Sequence, residues 1–126
     1  MPYADPQVTP NKLRTVVTEQ LTSRRADAMV RIPIVGTPQV RCIVVRWPVG
    51  HIEPPHRHPR AVELFLIISG RVRAGLGHAS AVEGTPGTIL FSAANEEHSF
   101  EVLGTEPLVM VAIVAPNEDL PGETLP

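Results

Sequence analysis

His56, His58 and Glu63, followed further along the chain by His98, are the residues whose types and spacing could do chemistry. Neutral imidazole nitrogens and a carboxylate oxygen are the donors that a divalent transition metal takes. Residues two apart on a strand project from the same face, so His56 and His58 can converge on a single ion. Three neutral histidines and one carboxylate would leave such an ion with a net charge of about +1 and, if octahedral, two open positions. Those positions admit a chelating substrate, a water, or dioxygen beside a substrate oxygen. They suit polarisation of a carbonyl, activation of a water, or one-electron chemistry with oxygen. Ligand type alone leaves iron, manganese, nickel, copper and zinc in play. The plain alternative is a set of surface histidines on a polar loop beside a buried strand.

Further candidates surround this set. Glu53, Glu96 and Glu97 lie near it in loops; Glu53 and Glu97 are candidate general acids or bases, with solvated loop charge as the competing reading. Arg41 and Arg46 interrupt an apolar run on opposite faces, so one of them is expected to point inward and bind a substrate carboxylate. Phe65 follows Glu63 on the same strand face, and Phe100 follows His98 likewise, which supplies an apolar, substrate-contacting floor beneath the ion. His51 and His78 do not fit the ligand spacing and read as surface or loop residues.

The composition excludes several functions. The chain has 126 residues, net charge −2 and no basic run beyond Arg24-Arg25, so nucleic acid is not an expected partner. Its apolar runs are too short to span a bilayer, and the N-terminus lacks the cationic and apolar regions of a signal peptide. Cys42 is the single cysteine; with no internal disulfide possible, a cytoplasmic location is expected. It reads as a structural thiol in a strand. With only Tyr3, Trp47, Phe65, Phe91 and Phe100 as aromatics, a large planar ligand held by stacking is not favoured.

The elements that must position the candidates are short and β-branched. Runs at 28–35, 40–47, 61–69, 71–76, 88–92, 98–103 and 108–114, with a weaker one at 78–82, are separated by Gly, Pro and Asn. Turn signals recur about every ten residues, as in a sandwich or barrel. Residues 15–28 could form a turn or two of helix. Both ends are rich in proline, so 1–12 reads as an irregular arm, 13–115 as the barrel and 116–126 as a tail.

Gly50, His56, His58, Glu63 and Gly70 fall in the order G-x5-H-x-H-x4-E-x6-G, which resembles the first motif of the cupin superfamily at every defining position. The segment from Pro54 to Glu63 is especially similar to germin-type cupins. A second cupin motif is degenerate: Gly87 and His98 are in place, whereas Ala93, Asn95 and Val102 replace its proline, glycine and asparagine. Asn95 is a coherent replacement, because asparagine tolerates the left-handed conformation that a glycine would supply.

The resemblance implies an all-β, single-domain jelly-roll barrel (a double-stranded β-helix) holding one divalent metal ion, with His56, His58, Glu63 and His98 as its ligands. The germin-like segment points to iron or manganese, and to a dioxygenase or other oxidoreductase acting on a small dicarbonyl or carboxylate. A non-redox lyase, isomerase or cyclase is the closest rival, and a non-catalytic metal- or ligand-binding module the third. A homodimer is expected, joined through exposed edge strands and an arm near residues 12–17.

Overall fold

The computed structural model describes residues 29–118. The arm, the possible helix at 15–28 and most of the tail lie outside the described residues. Nine strands follow one another: β1 (Val30–Gly36), β2 (Arg41–Trp47), β3 (Ile52–His56), β4 (Val62–Ser69), β5 (Arg71–Leu76), β6 (Val82–Gly84), β7 (Ile89–Ser92), β8 (His98–Leu103) and β9 (Leu108–Ala115). They form two antiparallel sheets, ordered β1-β2-β9-β4-β7 and β3-β8-β5-β6. Seven strands coincide with the β-branched runs to within a few residues. The weak run at 78–82 is shifted: β6 begins only at Val82, after a turn. Strand β3 was not anticipated, because Pro54 and Pro55 read as loop. Proline is tolerated there since β3 is an edge strand, paired on one side only, with β8.

Alternation decides which side chains meet between the sheets. Along β4, Glu63, Phe65 and Ile67 turn inward while Val62, Leu64 and Leu66 face out. Along β8, His98, Phe100 and Val102 turn inward. The core therefore grades from charged at one end, around Glu63 and His98, to apolar at the other, around Ile67, Val102 and Leu108. Burying each of these large apolar side chains contributes about 2 kcal/mol. A second apolar cluster, including Ile32, Val44 and Val109, lies on the opposite face of the five-stranded sheet. The outer face of the other sheet is wet, with ion pairs joining Arg71 to Glu83 and Arg73 to Glu101.

Gly70, between β4 and β5, has φ +85°, and a Cβ there would run into the Pro107 carbonyl and stand 2.9 Å from Leu108 Cα. Gly50, at φ +82°, faces open space. Gly70→Ala should therefore cost about 3 kcal/mol, strain and overlap together, and Gly50→Ala about 1 kcal/mol from strain alone. Urea unfolding of the two variants checks the order; equal losses would contradict it.

Candidate metal centre

Three separate strands and one loop deliver the four candidate ligands. On the four-stranded sheet, β3 pairs with β8 so that His56 stands directly opposite His98. Glu63 comes from β4 of the facing sheet, next to Ser92 of β7. His58 lies in the loop between β3 and β4, and the backbone N–H of Asn95 donates to its carbonyl at 2.7 Å. Asn95 has φ +63°, a left-handed residue where the second motif would place glycine. One donor atom from each of His56, His58, Glu63 and His98 lies within 4.8 Å of every other.

Hydrogen bonds fix the tautomers of His56 and His98. His56 Nδ1 lies 3.1 Å from the Pro54 carbonyl, which only accepts, so Nδ1 carries the proton. The Ser92 hydroxyl donates to the Glu96 carbonyl at 3.2 Å; it therefore accepts from His98 Nδ1, 3.1 Å away. In the neutral rings both Nε2 atoms are left with lone pairs, yet they face each other at 3.0 Å. Glu63 Oε1 lies 3.1 Å from Nε2 of His58 and 3.1 Å from Nε2 of His98. It is buried, and it has no hydrogen-bond partner among the described residues. Converging lone pairs around an orphaned carboxylate oxygen are what a cation resolves. Donors at right angles on bonds of about 2.1 Å stand about 3.0 Å apart, against about 3.4 Å in a tetrahedron. The His56–His98, His58–Glu63 and His98–Glu63 spacings of 3.0 to 3.1 Å fit the right angle, while the cluster as a whole spans 4.8 Å.

Burial opposes ionisation of Glu63, which is 5 % exposed, but the contacts with His58 and His98 and their charge outweigh it. The carboxyl is held at about 2 and is an anion at neutral pH. The Glu63 carboxylate beside it raises the His58 pKa against the effect of burial, while the Arg41 charge acts to lower it.

Beneath the cluster lies a cavity of about 180 Å³. That is smaller than the roughly 300–1,000 Å³ of pockets that take drug-sized ligands. Phe65 and Phe100 form part of its wall, and their rings meet edge to face at 4.8 Å. Of the two candidate arginines, Arg41 lines the cavity. Arg46 does not: it sits opposite Val30 and Val109, in the outward register of β2. Glu53 also lines the cavity, because it pairs with the inward Phe100. Glu97 does not reach it and instead makes an exposed ion pair with Arg57 at 3.2 Å. His51 lies in the loop between β2 and β3, in keeping with its surface-or-loop reading, but it is not fully exposed. Its side chain is only 18 % exposed, sits 3.0 Å from Glu53 Oε1 and packs on Trp47 with ring centroids 5.0 Å apart.

Two residues of the site escaped the sequence reading. Ser92 left one trace, its period-two position after the buried Leu90, which predicts an inward hydroxyl. Arg31 lines the cavity from β1, and its alternation with Val30 and Ile32 was the available signal.

Ser92→Ala removes the acceptor that holds His98 Nδ1–H without touching a donor atom. Affinity for added manganese or iron should fall about 10- to 100-fold while the melting temperature changes little. Competitive titration against a chelating dye measures this; an unchanged affinity would show that Ser92 does not orient the ring.

The family model for the Cupin domain matches residues 43–114, a span that includes all four clustered side chains. No curated protein matches the sequence. Among solved structures, a Klebsiella pneumoniae protein with a double-stranded β-helix domain superposes with a TM-score of 0.74 at 20% identity, covering 85% of this chain and 88% of that one. A Bacillus halodurans protein gives 0.74 at 21% identity, with 88% of each chain covered. The KdgF protein of a Halomonas species gives 0.66 at 19% identity, covering 77% of this chain and 92% of its own. At these identities the structures speak to fold alone, and it is the double-stranded β-helix. The family match over most of the barrel, together with that fold, places this chain in the cupin family.

Proposed function

We propose that this cupin is a metal-dependent enzyme acting on a small, oxygen-rich organic molecule, with His56, His58, Glu63 and His98 as ligands to one divalent ion. The observation that carries the reading is the pair of facing Nε2 lone pairs of His56 and His98 at 3.0 Å, with Glu63 Oε1 3.1 Å from His98 and all four donor atoms gathered in one cluster. Four protein ligands on a six-coordinate ion leave two places for a substrate chelate or for dioxygen. Iron or manganese is favoured, and the ion would supply Lewis acidity and one-electron chemistry with oxygen. Oxidation of a dicarbonyl or carboxylate is the preferred reaction.

The chain's own groups have defined tasks in this scheme. Phe65 and Phe100 exclude water from the side of the cavity beneath the cluster. Glu53 is the cavity carboxylate outside the ligand set, and it takes or returns the substrate proton while His51 holds its Oε1. That pair is also the observation favouring a second reading, a lyase, isomerase or cyclase that moves protons without redox change. A binding module that keeps its ligand unaltered is the third. Residence in the cytoplasm belongs to the proposal and rests on the single cysteine.

Metal analysis of protein purified without added metal should give close to one equivalent of iron or manganese. Screening diketones and oxo acids with an oxygen electrode should then find a substrate whose loss matches oxygen uptake. Turnover without oxygen uptake would move the assignment to the second reading. Glu53→Gln should lower turnover by about 10²- to 10⁴-fold with bound metal unchanged.

A homodimer is also proposed, and besides its edge strands the barrel offers a face for it. Val62, Leu64 and Leu66 of β4, with Ile89 and Phe91 of β7, make an exposed apolar patch on the outside of the five-stranded sheet. No charge interrupts these five side chains, so a two-fold copy meets like with like. Light scattering should give twice the chain mass, and Leu64→Lys with Phe91→Asp should give a folded monomer; a monomeric parent protein would refute the dimer.

A further inference from the structure

One small side chain leaves a dip in the inner face of the five-stranded sheet. Across β2, β9, β4 and β7, Ile43 pairs with Ala112, Ala112 with Phe65, and Phe65 with Leu90. This row lies two residues beyond Glu63 along β4, or about 7 Å towards the apolar end of the barrel. All four side chains are buried in the core between the sheets, and three of them are large. Ala112, flanked by Ile43 and Phe65, contributes only a methyl group. From the facing sheet Phe100 meets Phe65 edge to face at 4.8 Å.

The cavity has a polar end and a hydrocarbon end. Ile43, Phe65, Phe100, Met110 and Ala112 line the same space as His56, His58 and Glu63. Charged groups reach the wall too, but they are engaged: Glu53 with His51, and Arg31 and Arg41 in interactions of their own. What the wall offers a ligand without displacing a partner is therefore apolar surface. An apolar cavity of about 150 Å³ is large enough for a benzene molecule, so the 180 Å³ here accepts about six carbons. A chelating group beside the cluster takes part of that space.

We infer that the ligand is a chelating oxo compound with a short alkyl chain, about three to five carbons long, seated over Ala112, and that residue 112 sets the length of that chain. The chelating end rests on the metal reading proposed above, whereas the alkyl seat is a property of the wall itself. A larger side chain at 112 would fill the dip between Ile43 and Phe65 from below, and glycine would deepen it.

The test uses the full chain loaded with manganese and titrated calorimetrically with straight-chain 2-oxo acids of three to eight carbons, so the chelating end stays constant. Affinity should rise about threefold to fourfold with each added carbon and stop rising once the cavity is full. Ala112→Val should end the rise at a shorter chain and Ala112→Gly at a longer one, both with the bound manganese unchanged. A flat series, a rise that continues to eight carbons, or an end point that neither variant moves in protein shown to be folded by circular dichroism would overturn the inference and leave the metal reading intact. Should the protein take up no manganese, the metal reading fails separately. Methyl ketones of the same lengths are then titrated on the metal-free protein, read by the fluorescence of Trp47, the single tryptophan and a wall residue of the cavity. A best chain length that shifts with residue 112 supports the seat, and none rejects it.

Discussion

Lone pairs that point at one another are the constraint from which this site is built. Two imidazole Nε2 atoms and a buried carboxylate oxygen crowd within about hydrogen-bonding distance, and the protons that could separate them are committed elsewhere, to Pro54 and Ser92. Such an arrangement is costly to leave uncompensated, because buried acceptors without donors lose their hydration for nothing in return. A single cation relieves all of it. The pairing of β3 with β8, the inward face of β4 and the tether on His58 all serve that one convergence.

Much of this was legible in the residue order. The residue types at 56, 58 and 63 marked the site, although His58 lies in the loop after β3 and not on the strand that its two-residue spacing from His56 suggested; the turn at Asn95 could be read from the conformational tolerance of asparagine. Most strands were visible as β-branched runs. What was hidden depended on partners distant in sequence. Strand β3 looked like loop because Pro54 and Pro55 suppress strand propensity, and only its edge position makes them acceptable. The choice between Arg41 and Arg46 needed the register of β2 against β9, which a run of alternating side chains does not specify alone. His51 looked like a surface residue because nothing local shows that β8 holds the backbone at His51 and that Trp47 stacks beside its ring.

The two sheets have opposite outer characters. The four-stranded sheet carries crossed Arg–Glu pairs, each worth only about 0.2–1 kcal/mol in stability but effective in keeping that surface hydrated. The five-stranded sheet carries valine, leucine, isoleucine and phenylalanine on its outside. A barrel of this size spends most of its apolar residues inside, so a second apolar surface is not required by the fold itself.

The bond from the Asn95 amide to the His58 carbonyl joins the two halves of the sequence pattern at the rim. The segments carrying first-motif and second-motif residues are thereby latched to each other rather than fluctuating independently. Losing that one bond, worth about 1 kcal/mol, would free the loop that carries His58 from the turn that precedes His98.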